Sequence, residues 1–134
     1  MSKKVFVNLP VADLARSMAF FKAVGYEFNP QFTDETAACM VISEHNYAML
    51  LTHARFKDFA PKAIADARKT TEVLVAISYE SRAEVDEVVR KAVAAGGNTY
   101  NQPQDHGFMY GHGFQDPDGH IWEVFWMDPA VANG

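Results

Sequence analysis

The feature that most constrains the fold of this chain is a pattern of structural signals that occurs twice along it. In each half, a strand-like run is followed by a capped helix, by glycine, and by three further strand-like runs. The two halves share little sequence identity, so the repeat lies in the order of the signals. We therefore predict one α+β domain that is built from two tandem βαβββ modules.

The first module is predicted over residues 1–53. Its opening strand covers Lys3–Leu9 and is rich in Val and Phe, and Pro10 ends it. Asp13 is the expected N-cap of an amphipathic helix, which Gly25 ends. The three strands that follow are predicted at Tyr26–Phe32, Ala37–Ile42 and Tyr47–Thr52.

The second module is predicted over residues 71–128. It begins with the strand Glu72–Tyr79, and Ser81 and Glu84 then form a capping box at the start of a helix. Gly96 follows the last turn of that helix. The apolar face of this helix is predicted to consist of Val85, Val88, Val89, Ala92 and Val93. The three further strands are predicted at Asn98–Asn101, Phe108–Gln115 and His120–Met127.

Residues 54–70 are predicted to link the modules, and residues 129–134 form a tail. Pro61 is a favourable first residue for a short helix in the linker, which we predict through Arg68. Phe56 and Phe59 lie earlier in the linker. Two interpretations remain open for these rings, a lid over a binding cleft or simple anchors of the linker.

A shared, cleft-bearing, pseudo-symmetric sheet is expected because neither module alone can bury both faces of its own sheet. The chain contains 10 Phe, 5 Tyr and 2 Trp residues, which favours an apolar, aromatic-lined cleft. Clefts of this kind bind small molecules. We therefore expect a small-molecule ligand or substrate as the partner.

Charge and hydropathy argue against two other classes of partner. The formal net charge is −5, and the basic residues are scattered, which is unlike a nucleic-acid-binding surface. No apolar run approaches the roughly 20 residues of a membrane-spanning helix. The N-terminus lacks the features of a signal peptide, and Cys39 is the single cysteine. These features predict a cytoplasmic protein.

Glu123 is the most informative charged residue. On a strand it shares a face with apolar neighbours such as Phe125, so its carboxylate needs compensation. A four-residue loop at Asp116–Gly119 would place His112 opposite Glu123 and Tyr110 opposite Phe125. His112 and Glu123 are then predicted as a catalytic acid–base pair. Half a metal site and a purely structural pair are the alternatives.

Three segments resemble one known superfamily over nearly the whole chain. They are the opening Val7–Ser17 with the later Gly25-Tyr26, the helix end Ala94–Gly97, and the closing Phe114–Val124 with its D-P-D-G-x-x-x-E pattern. The chain resembles the vicinal-oxygen-chelate superfamily, which includes glyoxalase I, ring-cleaving dioxygenases and bleomycin-resistance proteins. The resemblance implies the fold predicted above and a homodimer.

The resemblance also implies a position for a divalent metal, with one ligand from each of four strands. Glu123 matches the last ligand, whereas the other three positions fall at Phe6, Leu50 and Leu74, which cannot bind a metal. A register two residues away would replace them with a weak set of side chains that offers only oxygen atoms as ligands. That alternative set is Asn8, Thr52 and Glu72.

Three functions remain open from the sequence. The first is metal-free binding of a small, partly apolar ligand, and the second is a metal-dependent lyase or dioxygenase of the glyoxalase type using Glu123. The third is a metal-free acid–base enzyme that uses His112 and Glu123. The side chains predicted to contact the ligand are Asn8, His53, Tyr110 and Phe125.

Overall fold

The computed structural model describes residues 3–132 and contains two compact units, which divide between Asp66 and Ala67. The division lies within the predicted linker. Each unit has the order strand, helix and three strands, so the two βαβββ modules are confirmed. The first unit contains β1 (Val5–Val11), α1 (Leu14–Val24), β2 (Glu27–Phe28), a 3-10 turn (Pro30–Phe32), β3 (Ala37–Val41), β4 (Asn46–Thr52) and α2 (His53–Phe59). The second contains β5 (Leu74–Ser78), α3 (Arg82–Ala94), β6 (Gln104–Asp105), β7 (Met109–Gln115), β8 (Ile121–Met127) and α4 (Pro129–Ala132).

The first sheet has the strand order β1-β4-β3-β2, with β1 parallel to β4. Pro10 was predicted to end β1, but the strand continues through it to Val11. A proline is tolerated there because β1 is an edge strand, where a missing N–H need not interrupt the ladder. Leu9 and Leu50 pair on the face that α1 covers, and both are buried.

The ends of α1 are those predicted. The side chain of Asp13 accepts a hydrogen bond from the backbone N–H of Arg16 at 3.1 Å, which confirms the N-cap. Gly25 has φ 123°, outside the range that residues with a Cβ favour, and its N–H returns to the carbonyls of Phe21 and Lys22. Local capping chemistry therefore determines the length of this helix.

The position of the linker helix was predicted wrongly. The helix α2 begins directly after β4, because the Thr52 hydroxyl accepts from the backbone N–H of Arg55 at 3.3 Å and caps it. Ala60 is extended, with φ −92° and ψ 124°, as is typical of a residue that precedes proline. Pro61 therefore follows the end of this helix, and no helix covers 61–68.

The second sheet has the order β5-β8-β7-β6, with β5 parallel to β8. The predicted Ser81 cap of α3 is present, because the backbone N–H of Glu84 donates to the Ser81 hydroxyl at 3.1 Å. The Glu84 carboxylate reaches back to the backbone N–H of Glu80, one residue before the expected Ser81, at 2.9 Å. Val93 was predicted on the apolar face but is 47% exposed, so that face ends at Ala92. One bridge, Asn98 to Gln115, replaces the predicted strand at 98–101.

The β7–β8 hairpin differs by one residue from the predicted register. The loop has three residues rather than four, because Asp116 and His120 still pair through a backbone hydrogen bond of 3.0 Å. Gly119 has φ 92°, and its N–H donates to the Asp116 carbonyl at 2.9 Å, as in a type I turn followed by a left-handed residue. A one-residue slip places each side chain opposite a different neighbour.

In the part of the chain that the structure describes, every helix is too short or too polar to span a membrane.

Candidate functional site

A pocket lies in the first unit, between α2 and the face of the first sheet that α1 does not cover. Its volume is about 460 Å³, within the range of sites for small organic molecules. The pocket is open to solvent, and its walls are apolar apart from one amide. The lining residues are Asn8, Leu51, Phe56, Phe59 and Ala60.

Asn8, which was predicted to contact the ligand, supplies the polar side chain of the pocket wall. It lies on β1 opposite Met49 of β4, and its side chain is exposed. Its amide nitrogen donates to the Phe6 carbonyl at 3.2 Å. The amide oxygen accepts no hydrogen bond from residues 3–132, so it can receive a donor from a ligand.

The aromatic wall of the pocket comes from α2. Phe59 is 66% exposed, and the guanidinium of Arg55 lies 5.2 Å from the centre of its ring. Arg55 also pairs with Asp58 at 3.8 Å. The ring therefore has one face held by a cation, while its large exposed area is typical of a binding surface rather than a core anchor.

His53 was predicted beside the ligand, yet it is the exposed first residue of α2 and the pocket wall does not include it. Thr52, proposed as an alternative metal ligand, caps α2 with its hydroxyl. The end of β4 therefore serves to start α2. Among the predicted contacts in this unit, the structure places Asn8 in the pocket and leaves His53 outside it.

In the second unit, Glu123 lies on the face of the sheet opposite that which packs on α3. Its neighbours across the strands are Gly113 of β7 and Ala76 of β5, and Phe125 shares its face. The side chain is half-buried. No described residue from 3 to 132 donates a hydrogen bond to its carboxylate or pairs with it as a cation.

The predicted contact between His112 and Glu123 is wrong. His112 pairs with Val124, which lies on the α3 face, and its Nε2 lies 3.0 Å from the backbone carbonyl oxygen of Asn101. The three-residue hairpin loop is the cause, because it shifts every pair by one residue. His112 thus holds the segment before β6 and does not orient the Glu123 carboxylate.

Tyr110 is also on the other face from that predicted, opposite Trp126 rather than Phe125. Its hydroxyl donates to the carboxylate of Asp86 at 2.6 Å, and Arg82 lies over its ring. The hydrogen bond to Asp86, together with burial and nearby negative charge, raises the pKa of Tyr110. These contacts join α3 to β7, so Tyr110 has a structural role.

The residue that sequence reasoning missed is Tyr100. Its ring packs on Gly113: a Cβ at Gly113 would lie 2.1 Å from the Tyr100 hydroxyl oxygen. Burial raises the pKa of Tyr100, and the negative charge of Glu123 adds to the shift. The signal was the predicted strand at 98–101, for which no partner strand was assigned; pairing Asn98 with Gln115 points Tyr100 toward Gly113.

The donor set of each unit does not fit a divalent metal. Across residues 3–132, no three or more His, Cys, Asp and Glu side chains group in a way that could hold one. Phe6 stacks on Tyr47, with ring centres 4.7 Å apart, and Leu74 pairs with Ile121 on the Glu123 face. Leu50 was placed at a ligand position but is buried on the α1 face.

The alternative register fits no better, since its residues do not share one face or one strand end. Asn8 lies on the face opposite α1, whereas Thr52 caps α2 and Glu72 precedes β5 as an exposed residue. A structural metal site takes four convergent protein ligands, and a catalytic site takes at least three. Glu123 is thus a single donor within its own sheet.

Comparison with known proteins shows the fold of the chain and a family match that is confined to its N-terminal part. Residues 3–43 match the family described as bleomycin resistance protein-like N-terminal. No curated protein matches the chain significantly. A solved structure of a hypothetical protein from S. aureus is 25% identical, with 94% of each chain covered and a TM-score of 0.79.

Two further solved structures have the same fold at lower identity. A glyoxalase/bleomycin resistance protein/dioxygenase family enzyme from Burkholderia phytofirmans PsJN is 16% identical, covers 94% of this chain and 99% of its own, and has a TM-score of 0.77. The fosfomycin resistance protein FosX from Mesorhizobium loti is 12% identical, covers 100% and 99%, and has a TM-score of 0.70. These solved structures confirm the predicted α+β fold. The family match over residues 3–43 agrees with the predicted resemblance to the vicinal-oxygen-chelate superfamily.

Proposed function

We propose that this chain is a metal-free binding protein for a small, partly apolar molecule, which it holds between α2 and the first sheet. The observation that carries the proposal is the pocket, whose wall combines apolar side chains with the single amide of Asn8. Apolar walls contribute affinity in proportion to the area they bury. One well-placed polar group orients the ligand.

The exposure of the pocket wall supports binding over a purely structural role. Phe59 is 66% exposed, although burial of such a ring against the sheet would stabilise the fold by about 1.5–3 kcal/mol. A ligand that packs on the ring removes this apolar surface from water. The names of the matched family and of one solved structure refer to resistance against antibiotics, which also supports a small molecule as the ligand.

The first test uses the fluorescent probe 1-anilinonaphthalene-8-sulfonate, which is aromatic and of suitable size. Phe59→Ala is expected to weaken probe binding by roughly tenfold, since one aromatic contact is worth about 1–1.5 kcal/mol. Ala60→Trp, which places a large ring in the pocket, is expected to abolish it. Circular dichroism checks that both variants fold.

The matched control is Phe32→Ala, because Phe32 is 61% exposed and lies in the same unit but outside the pocket wall. This variant is expected to bind the probe as the wild type does. The proposal is wrong if Ala60→Trp binds the probe normally, or if Phe32→Ala loses as much binding as Phe59→Ala.

The role of Asn8 is tested with 2-naphthol and 2-methoxynaphthalene, which differ in one hydroxyl donor. The wild type is expected to prefer 2-naphthol by roughly fivefold to tenfold, the value of one hydrogen bond. Asn8→Ala is expected to lose this preference while keeping its affinity for the ether. Equal binding of both compounds by the wild type would contradict an orienting role for Asn8.

One observation favours a second function, a metal-dependent lyase or dioxygenase that uses Glu123: this half-buried carboxylate has no partner among residues 3–132. Elemental analysis after incubation with zinc, nickel, iron and manganese separates the two functions. One metal per chain, lost in Glu123→Gln, would overturn the metal-free proposal. The shared cleft, the homodimer and the cytoplasmic location stay predictions.

A further inference from the structure

A second polar site lies in the second unit, where Glu123 and Tyr100 meet beside Gly113. Glu123 pairs across the strands with Gly113, and the Tyr100 ring packs on that glycine. The two side chains are close enough for the charge of one to affect the other. Neither the carboxylate nor the Tyr100 hydroxyl makes a hydrogen bond within the described residues 3–132.

The unpaired carboxylate needs a physical explanation. Glu123 is half-buried, with Ile121 and Phe125 on its own face and Ala76 across the neighbouring strand. An ionised carboxylate among apolar groups loses part of its hydration, and protein structures normally offset that loss with a cation or hydrogen-bond donors. Residues 3–132 offer neither at the site, so the carboxylate is available to a cation or donor from a ligand.

The surroundings of the carboxylate indicate the chemistry of that group. Tyr100 is 40% exposed, so a ligand can reach this residue, and Phe125 adds a second aromatic ring on the face of Glu123. Aromatic faces attract organic cations, and a neighbouring carboxylate adds a direct charge interaction. A single carboxylate with aromatic walls suits an ammonium group better than a metal ion, which needs several donors.

Tyr100 is held in place from both sides. Asn98 exchanges two backbone hydrogen bonds with Gln115, at 3.2 and 2.7 Å. After Tyr100, the carbonyl oxygen of Asn101 lies 3.0 Å from His112 Nε2. The segment thus runs along β7 with Tyr100 above Gly113, where only a residue without a Cβ leaves room for the ring.

We propose that Glu123 and Tyr100 form a binding site for an organic cation, an alkyl- or arylammonium group that the carboxylate pairs with and the tyrosine ring covers. His112 and Gly113 position Tyr100. The site uses residues of the second unit only, whereas the proposed apolar pocket uses residues of the first. Different substitutions therefore test the two proposals.

The test is an NMR titration of the full chain at pH 7 with benzylamine, which is protonated there, and with benzyl alcohol, a neutral molecule of the same size. Benzylammonium is expected to shift the backbone amides of Gly113 and Glu123 and to bind roughly tenfold more tightly than the alcohol. Glu123→Gln is expected to remove this preference. Glu72→Gln, an exposed carboxylate of the same unit, is the matched control and should keep it.

Three more variants separate charge from aromatic contact. Tyr100→Phe keeps the ring and is expected to bind benzylammonium within about twofold of the wild type. Tyr100→Leu and Gly113→Ala, which displaces the ring, are each expected to weaken binding roughly fivefold. Because Gly113→Ala meets only the end of the tyrosine side chain, it tests the site even if a Tyr100 variant fails to fold.

Several results would overturn the proposal. They are equal affinity for the amine and the alcohol, unchanged amine binding in Glu123→Gln, and displacement of the amine by one equivalent of zinc. Phe59→Ala should leave amine binding unchanged. If Phe59→Ala weakens the binding of benzylamine and of 1-anilinonaphthalene-8-sulfonate equally, the amine binds in the apolar pocket and the proposal of a second site is wrong.

Discussion

The hairpins that close the two halves have the same place in the repeat but hold their turns in different ways. In the β3–β4 turn, the contacts are local and exposed, such as the Asn46 amide donating to the Ser43 hydroxyl at 2.9 Å. In the β7–β8 turn, Asp116 is 4% exposed and accepts three hydrogen bonds. The donors are Asp118 N, His120 N and Trp122 Nε1, at 2.9, 3.0 and 3.0 Å.

The difference shows how to interpret a buried carboxylate in this fold. Asp116 is buried in the second unit and accepts three hydrogen bonds from its own hairpin, so its role is structural. Glu123 lies in the same hairpin, is half-buried, and has no donor among residues 3–132. The two carboxylates differ in their partners, and the one without partners is the one available to a ligand.

The largest expected effect comes from removing the buried turn carboxylate. Asp116→Ala removes the carboxylate that accepts from the indole N–H of Trp122 and from two backbone N–H groups, and we expect a loss of about 2–4 kcal/mol in the free energy of unfolding. Glu44→Ala, in the exposed turn of the first hairpin, is expected to change it by less than about 0.5 kcal/mol. Urea denaturation measures both, and equal losses would remove the contrast between the turns.

The pH dependence of stability provides a finer test of Asp116. Burial raises the pKa of Asp116 above its usual 3.8, although His120 and the hydrogen bonds oppose the shift. The folded state then binds the proton more tightly than the unfolded chain does. The stability that this group contributes is complete below pH 3.8 and is lost as the pH rises through the folded pKa.

We therefore expect the difference in unfolding free energy between wild type and Asp116→Asn to shrink as the pH rises from about 3 to 7. Carboxylates with a lowered pKa have the opposite dependence, but both proteins contain them, so they cancel in the difference. They are Asp34, Glu87 and Asp105. Urea titrations at several pH values measure the difference in unfolding free energy between the two proteins. A difference that grows with pH would show that the hydrogen bonds lower the pKa of Asp116 by more than burial raises it.

The smallest expected effects come from substituting two arginines, Arg82 and Arg55, that lie over aromatic rings. Arg82 lies 5.1 Å from the Trp126 ring centre, pairs with Asp105, and donates to the Gly107 carbonyl at 2.7 Å. Arg82→Ala is expected to speed hydrogen exchange at the His106 amide roughly fivefold. Fragment-resolved exchange or NMR measures this local opening.

The control for that measurement is Arg55→Ala in the first unit, where the arginine contacts Phe59 and Asp58 of its own helix. The Ala60 amide, which donates to the Phe56 carbonyl at 3.0 Å, should exchange within about twofold of the wild-type rate. A large effect of Arg55→Ala would mean that the pocket wall depends on this cation as strongly as the β6 segment depends on Arg82.

Most of the fold could be predicted from local signals. Asp13, Ser81 and Gly25 mark helix ends through contacts with residues up to four positions away, and such contacts form in much the same way whatever surrounds them. The linker helix was misplaced because two local signals competed. Thr52 caps a helix directly after β4, and Pro61 follows its end rather than beginning another.

The candidate sites could be predicted only in part. Glu123 was singled out because a carboxylate among apolar strand neighbours can be recognised from the sequence, and Asn8 because it lies two residues from a ligand position that the resemblance implies. His112 and Tyr110 were assigned to the wrong face of the sheet. A loop of three residues instead of four shifts every cross-strand pair by one residue, and neighbouring residues on a strand point to opposite faces. Tyr100 was missed because its contact with Gly113 depends on how the segment after α3 pairs with β7.

The sequence by itself determined the order of the elements, their caps and the two-module pattern, because these depend on backbone preferences and on contacts between near neighbours. Only the tertiary structure decided which side chains meet. The pocket at Asn8 exists because α2 lies over β1 and β4, and Tyr100 packs on the cross-strand neighbour of Glu123 because that neighbour, Gly113, has no Cβ. Such contacts depend on packing between segments far apart in the chain, and a change of one residue in a loop is enough to exchange them.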